Sequence, residues 1–327
     1  MPQLEIPLQQ GDATFQQSLQ PVLQQIEAFR EEKNRIYIGR ASIGKILTLI
    51  SLVPLCLSYY FFLFRVGVYN VEPVLIFGLF LWGGIFFWVG MPLNEYQDSY
   101  KENVMPMIAR SLGLDEYKLK GEIPISEMST ARILPGYETY SSSDYFAGHR
   151  KETGLRFAQA TFEERKGFGK YSHLEIVFQG VVLMIDLQQP KFFGHTILFK
   201  QSGMIGDWVQ TAGTDLQRVG LEDPKFSGEY SVFSNDQVEA RYILDPLMME
   251  KILNLYEIYA ASSLTMSFMG AQVFVMVNCE RSLFDPPPIE MTATNCAFAE
   301  SLKGEVSHIM ALMDYLDLYK PPAVGSG

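Results

Sequence analysis

The sequence contains few of the residues from which metal centres and disulfide scaffolds are built. Its 327 residues include 3 cysteines and 4 histidines. Cys56, Cys279 and Cys296 form no CxxC pair and no regular framework, and the histidines show no HExxH spacing. We therefore expect no metal site and no disulfide scaffold, and we interpret the three thiols as buried and reduced.

Recognisable catalytic motifs are missing as well. The chain has no GxSxG elbow, no paired-carboxylate motif, no P-loop and no dinucleotide-binding loop. The sequence therefore predicts no catalytic residue and no cofactor, and it favours a non-enzymatic role.

Positive charge is scarce. The chain has 26 Lys and Arg against 37 Asp and Glu, a net charge of -11 and a sequence pI near 4.9. Phosphate binding needs clustered cations, so nucleic acid is excluded as a partner. A basic protein surface is still compatible with this charge.

Two long runs, Ile46–Phe64 and Val74–Met91, have no charged residue at all. Each is about as long as the 17–25 residues needed to cross a bilayer as a helix. We predict a transmembrane helical hairpin at 46–91 (46–64 and 74–91) with the lipid bilayer as a partner; the alternative is a helical pair buried in a soluble core. Ion and proton pathways usually contain an ionisable residue inside the membrane, so this hairpin is interpreted as an anchor.

The distribution of basic residues predicts the topology. The polar link after the first run contains only Arg65, whereas the segment before that run is basic. The positive-inside bias then places both termini in the cytoplasm of a multi-pass protein of the bacterial inner membrane. Without a signal peptide near the N-terminus, the hairpin itself is expected to direct insertion. The basic residues before the first run are Arg30, Lys33, Arg35, Arg40 and Lys45.

The segment at 1–45 is predicted to be cytoplasmic, loose over residues 1–13, and helical from about Pro21. This helix either joins a partner or packs on its own domain. In the membrane, Pro54 is expected to kink the first helix, and glycines are expected to let the second pack closely. The apolar seam of the N-terminal helix is Phe15, Leu19, Val22, Ile26 and Phe29, and the glycines are Gly78, Gly83, Gly84 and Gly90.

The rest of the chain predicts an α+β fold, a mainly antiparallel sheet with flanking helices. We expect a juxtamembrane helix within 92–118 that stops near Gly113, an α+β domain at 119–299, and a C-terminal helix and tail at 300–327. Loops and short strands are expected over 121–148, where Ser, Thr, Pro and Tyr are frequent. The apolar run 181–187 is typical of a strand buried on both faces, with Gly180 as a bulge or bend before it. Further strands are expected at 155–162, 195–199 and 264–279, with a turn at 190–194, and a helix is expected from Asp245.

Three groups of residues could form a site. Lys166 and Lys170 flank a glycine turn that either binds a phosphate or lipid headgroup or is a plain hairpin turn. Asp236, Glu239 and Arg241 lie ahead of an expected strand, with Glu239 and Arg241 on the same face of an extended chain. They either contact a partner or ligand or form a structural ion pair. A third group, on strands that could be neighbours, would define an enzyme site and consists of His173, Asp186 and His195.

Several short segments between residues 178 and 253 resemble a known family. They include Phe178-Gln-Gly180 with Asp186, Phe193-Gly194, Leu221-Glu-Asp-Pro-Lys-Phe226, Val232-Phe-Ser-Asn-Asp236, Glu239-Ala-Arg-Tyr242 and Leu244-Asp-Pro246. The chain resembles, over most of residues 90–285, a family of bacterial membrane proteins known only as domain of unknown function 3137. The resemblance implies an N-terminal membrane hairpin and a cytoplasmic α+β domain, and it implies no activity.

We therefore expect a membrane-anchored cytoplasmic binding or scaffold domain that recruits a protein partner or forms a homo-oligomer. One alternative is an enzyme with its site at the histidine pair and Asp186. The other is a subunit of a transport or envelope complex in which several hairpins pack together.

Overall fold

The computed structural model describes residues 10–64, 72–200, 215–279, 281 and 283–318. The chain divides into two compact units. The first comprises Met1–Val104 and Pro286–Phe298, and the second comprises Met105–Asp285 and Ala299–Gly327. The expectations for the first nine residues, for the polar link at 65–71 and for the tail after residue 318 lie outside the described residues.

The first unit is helical. Helix α1 spans Gln10–Phe64 and helix α2 spans Glu72–Ser111, whose last turns are grouped with the second unit. The predicted start of α1 at Pro21 is wrong, because the helix passes through both Pro21 and Pro54. Its seam also differs by one position: Leu23 and Arg30 are buried where Val22 and Phe29 were expected, next to the correctly predicted Phe15, Leu19 and Ile26.

Both helices are long and apolar enough to span a membrane. Their most apolar windows have a mean hydropathy of 1.8, yet only 6% and 11% of these windows are buried within the protein. Phe80 and Phe86 are 77% and 82% exposed. The helix pair therefore does not form the core of a soluble domain, which was the alternative interpretation, and its apolar side chains face outward.

The two helices touch through small residues. A Cβ on Gly78 would lie 3.0 Å from Leu55, as the predicted close packing requires, and a Cβ on Gly44 would lie 2.8 Å from Val89. The other predicted glycines do not serve this purpose, since a Cβ on any of them would meet no atom within 4 Å; these are Gly83, Gly84 and Gly90.

The segment Pro286–Phe298 completes the first unit by binding to α1. Buried Arg30 donates a 2.6 Å bond to the carbonyl oxygen of Ile289 and pairs with Glu27 at 2.6 Å. Glu27 in turn accepts a 2.6 Å bond from the backbone N–H of Ala293. The Arg30 guanidinium lowers the pKa of Glu27, so this carboxylate stays charged at neutral pH.

The described part of the second unit is built on an antiparallel sheet of nine strands in the order β1-β2-β3-β4-β9-β8-β5-β7-β6. The predicted α+β class and antiparallel sheet are confirmed. The strands are Glu116–Lys118 (β1), Thr139–Arg150 (β2), Thr153–Lys166 (β3), His173–Asp186 (β4), Phe192–Lys200 (β5), Gln217–Arg218 (β6), Tyr230–Ser234 (β7), Ser263–Gly270 (β8) and Gln272–Asn278 (β9).

Helices flank this sheet. The predicted C-terminal helix is confirmed, with a slightly earlier start, and Gly113 follows the end of α2 with a positive φ of 79°. Among the described residues, the α-helices after α2 are Ile125–Met128 (α3), Pro224–Glu229 (α4), Gln237–Ile243 (α5), Pro246–Ile258 (α6) and Cys296–Leu318 (α7).

Two local predictions about the sheet are wrong, and a third holds only in part. Loops and short strands were expected over 121–148, whereas the part from Thr139 onward belongs to the twelve-residue strand β2. Gly180 is not a bulge, because the register of β3 and β4 shifts three residues earlier, at Val177. A Cβ on Gly180 would lie 1.9 Å from the carbonyl oxygen of Val277 on β9. Gly194 lies within β5 and not in a turn. Glycine is therefore needed at 180 for close strand approach.

The sheet is covered on both faces. One face carries a buried cluster that includes Phe162, Val182, Met184 and Phe274, with Met128 packed among them. On the other face Phe157, Val181, Leu183 and Val275 are also fully buried. This confirms that the run after Gly180 is a strand buried on both faces. All three cysteines are free, and the expected burial of the thiols holds only for Cys279, since Cys296 is half-buried and Cys56 is exposed.

Candidate functional site

The expected enzyme cluster does not assemble. His173 begins β4 and Asp186 ends it, so a strand rise of about 3.3 Å per residue separates them by roughly 40 Å. His195 lies on β5, which β9 and β8 separate from β4. The prediction that these side chains lie on neighbouring strands is wrong, and the three residues expected to form an enzyme site are not close together.

Each member of that group has a structural environment of its own. Asp186 accepts a 2.8 Å bond from Arg156, which also pairs with Glu127 at 2.7 Å. His195 shares a 2.9 Å hydrogen bond between Nε2 and the Ser267 hydroxyl. Burial lowers the pKa of His195, and the positive charge of Arg132 lowers this pKa further. The imidazole is therefore neutral at pH 7 and packs as part of the sheet.

Asp236, Glu239 and Arg241 lie at the start of and along helix α5, where an extended chain was expected. Asp236 is the N-cap, and its Oδ1 accepts bonds of 3.0 and 2.9 Å from the N–H groups of Val238 and Glu239. Residues two apart on a helix do not face each other, so the predicted same-face pair of Glu239 and Arg241 is wrong.

Glu239 instead connects α5 to the sheet. The residue is 3% exposed, and its carboxylate accepts 2.7 Å bonds from the backbone N–H groups of both Phe193 and Gly194. These two residues lie where the register of β5 against β8 shifts between Phe192 and His195. A Cβ on Gly194 would lie 2.7 Å from Asn235 Oδ1 and 3.0 Å from Glu239 Oε2. We call the contact of Glu239 with these two N–H groups the α5 clasp.

Arg241 lies on the outer side of the same helix and borders a groove of about 880 Å³. Its Nε donates a 3.2 Å bond to the carbonyl oxygen of Gly220, which connects the helix to the chain after β6. Leu244 and Met249 line the groove as buried apolar residues, whereas Tyr242 and Leu247 are 56% and 47% exposed. We call this feature the α5 groove.

Two helix caps form the walls of the α5 groove. Asp223 caps α4 by accepting bonds from Lys225 N–H and Phe226 N–H. Asp245 caps α6, as predicted, through a 2.8 Å bond from Met248 N–H, and its Oδ2 also accepts a 2.6 Å bond from the Tyr315 hydroxyl of α7. Cap carboxylates with fixed orientations hold the walls in place.

Carboxylates outnumber cations along the groove. Glu222, Asp223 and Asp245 line it together with one cation, Arg241. An open, mainly apolar groove with an acidic border is suited to a chain segment that carries both apolar and basic side chains.

Sequence reasoning named Arg241 but missed the apolar part of this groove. The available signal was the pair Val238 and Tyr242, four residues apart on a short helix, which puts two apolar side chains on one face; of the two, Tyr242 lines the groove. Both are more than half exposed, so they belong to the outer face and not to the core.

The glycine turn has the plain hairpin geometry that was one of its two interpretations. It joins β3 to β4 with Gly167 and Gly169 at φ values of 82° and 59°. Lys166 forms an ion pair with Glu164. Binding of a phosphate or lipid headgroup at Lys166 and Lys170 stays a prediction. Among the residues that the structure describes, no three His, Cys, Asp or Glu side chains are grouped so that they could hold a metal.

Residues 176–318 match the model of a family described as a protein of unknown function, DUF3137. The resemblance drawn from the sequence is thereby confirmed, over a range that starts later than residue 90 and ends with α7. The match includes the α5 clasp and the α5 groove.

No curated protein matches the chain. Among solved structures, the mycobacterial trehalose monomycolate transport factor A, TtfA, is similar with 15% identity and a TM-score of 0.32. The likeness covers 66% of this chain and 93% of that one.

Proposed function

We propose that this protein is a membrane-anchored binding or scaffold protein whose α5 groove holds a segment of a protein partner. The observation that carries the proposal is an open groove with exposed Tyr242 and Leu247 at its border, fixed by the clasp and by two helix caps. Exposed aromatic and aliphatic side chains beside a preformed depression are typical of the centre of a protein interface.

The partner segment is expected to be amphipathic and basic. Its apolar side chains would cover Tyr242 and Leu247, and its Lys or Arg side chains would face Glu222 and the two cap carboxylates. The partner is either another protein or a second copy of this chain.

In this proposal the helix pair is the anchor. Its outward apolar side chains support insertion into the bacterial inner membrane, where both termini and the α+β unit would face the cytoplasm. Exposed Arg35 and Lys45 on α1, ahead of the apolar stretch, support this orientation. A fusion reporter at the C-terminus that works only outside the cytoplasm would contradict it.

The groove is tested by crosslinking in the native membrane. A photoreactive phenylalanine analogue at Tyr242 should yield a discrete adduct, because this ring lies at the border of the groove. The same analogue at Lys118 is the control, since that side chain is 56% exposed and lies on β1, at the other end of the sheet from β6.

A discrete adduct from Tyr242 that disappears with Glu222→Lys supports the proposal, and an adduct of twice the chain mass identifies a second copy as the partner. Equal crosslinking from Tyr242 and Lys118, or none from either, contradicts it.

A further inference from the structure

The β3–β4 hairpin extends beyond the part of the sheet that β9 reaches. β9 pairs with β4 only from Gly180 to Asp186, whereas His173 to Ile176 are paired with β3 alone in the described sheet. We call residues 163–176 the finger. Four large apolar side chains are exposed on it: Phe168 by 94%, Tyr171 by 74%, Ile176 by 53% and Leu174 by 41%.

The turn geometry keeps Phe168 at the tip. Gly167 has a positive φ, and a Cβ there would lie 2.7 Å from the carbonyl oxygen of Tyr171. Glycine is therefore required for the chain to turn this tightly. A nearly fully exposed phenylalanine, held by a tight turn at the end of a two-stranded projection, is costly in water.

Charge is arranged in order along the finger. Lys166, which pairs with Glu164, lies next to the turn, and Lys170 follows the turn in the sequence, whereas Glu163 and Glu175 lie further from the tip. Cations closest to the tip and carboxylates behind them suit an approach to a negatively charged surface.

We propose that the finger inserts its aromatic tip into the headgroup region of a bilayer that contains anionic lipid. Aromatic side chains prefer this interface, and adjacent lysines add attraction to anionic headgroups. The inference rests on the proposed membrane anchorage, because anchoring keeps a bilayer surface at high effective concentration around the second unit.

The size of the tip favours lipid over a protein partner. An aromatic side chain buries about 150–250 Å², so Phe168 and Tyr171 together supply roughly 300–500 Å². A stable protein interface takes about 800 Å² from each partner. Insertion into a bilayer has no such minimum, since each buried side chain contributes independently.

The test measures the depth of residue 168 in liposomes. The full-length protein with Phe168→Cys carries a nitroxide label, in a background of Cys56→Ser and Cys296→Ala; Cys279 is fully buried and stays. Collision rates with oxygen, which partitions into lipid, and with a water-soluble nickel chelate report the depth of the label. Phe193→Cys is the matched control, because Phe193 is also an exposed phenylalanine, at 65%, and lies on β5.

In liposomes with phosphatidylglycerol, the label at 168 should collide several-fold more with oxygen relative to nickel than the label at 193. Lys166→Glu with Lys170→Glu should reduce that difference, as should replacing the anionic lipid with phosphatidylcholine. The inference is overturned if the label at 168 collides with the nickel chelate as often as the label at 193 does. It is also overturned if the label at 168 is shielded from both reagents, because that result indicates a protein contact. Failure of the protein to float with the liposomes refutes the anchorage instead.

Discussion

Removing the Glu239 carboxylate should destabilise the second unit more than any other single change on α5. The residue is 3% exposed, and its two oxygens each accept a 2.7 Å backbone hydrogen bond. A hydrogen bond to a charged group contributes about 1.5–3 kcal/mol, and an orphaned buried donor adds its own cost. Glu239→Ala should therefore lower the free energy of unfolding by about 3–5 kcal/mol. Glu239→Gln keeps one acceptor oxygen and should lose about 1–2 kcal/mol.

Pulse proteolysis of the full-length protein in mild detergent, across a urea series, measures the unfolding of the second unit. With a slope of about 2–3 kcal/mol per molar urea, the alanine variant should shift the midpoint down by more than roughly 1 M. Glu250→Ala is the control, because Glu250 is an exposed glutamate on the neighbouring helix α6. If the free energy of unfolding of Glu239→Ala lies within about 0.5 kcal/mol of that of the unmodified protein, the two bonds make no net contribution to stability, and the clasp does not hold α5 in place.

Three further changes test other contacts. Gly194→Ala should cost about 2 kcal/mol or more, because its Cβ would lie 2.7 Å from Asn235 Oδ1, whereas Gly228→Ala meets no atom within 4 Å and should be neutral or stabilising; urea midpoints distinguish the two. The pKa of His195 is lowered by burial, so the unfolded chain binds the proton more readily; stability is complete above the ordinary value of 6.5 and falls as pH drops below it. His195→Asn should reduce that decline in unfolding measurements without abolishing it, because burial also lowers the pKa of His308, which contributes in the same direction. Arg30→Ala should leave Glu27 uncompensated and cost about 3–5 kcal/mol, seen as faster proteolysis at residues 286–298, whereas exposed Arg35→Ala should not.

The sequence was sufficient for elements with a long, regular signal. The uncharged runs correctly predicted both apolar helices, and the 181–187 run correctly predicted a strand buried on both faces. Asp245 followed by Pro246 correctly predicted the start of α6. These features depend on periodicity and caps, which are local properties of the chain.

The candidate site depended on contacts that a local pattern does not contain. The residues before Asp236 favour a strand, and the sequence therefore predicted no helix after them. That helix is stabilised by hydrogen bonds from Glu239 to an irregular part of β5 that is distant in the sequence. His173 and Asp186 are far apart because they lie at opposite ends of β4, whereas His195 is separated from both by the strand order, in which β9 and β8 insert between β4 and β5. Strand order is set by the whole sheet, so spacing along the chain could not predict it.

The short segment that completes the helical unit has a consequence for biosynthesis. The Glu27 carboxylate accepts a hydrogen bond from the backbone N–H of Ala293, a residue 266 positions later in the chain. A ribosome that has released the membrane hairpin has therefore not yet made the residues that close the bundle around α1. During translation the surface of α1 around Glu27 and Arg30 is therefore uncovered until residues 286–298 have been made. A stop codon before residue 286 would leave this surface uncovered for the lifetime of the truncated protein.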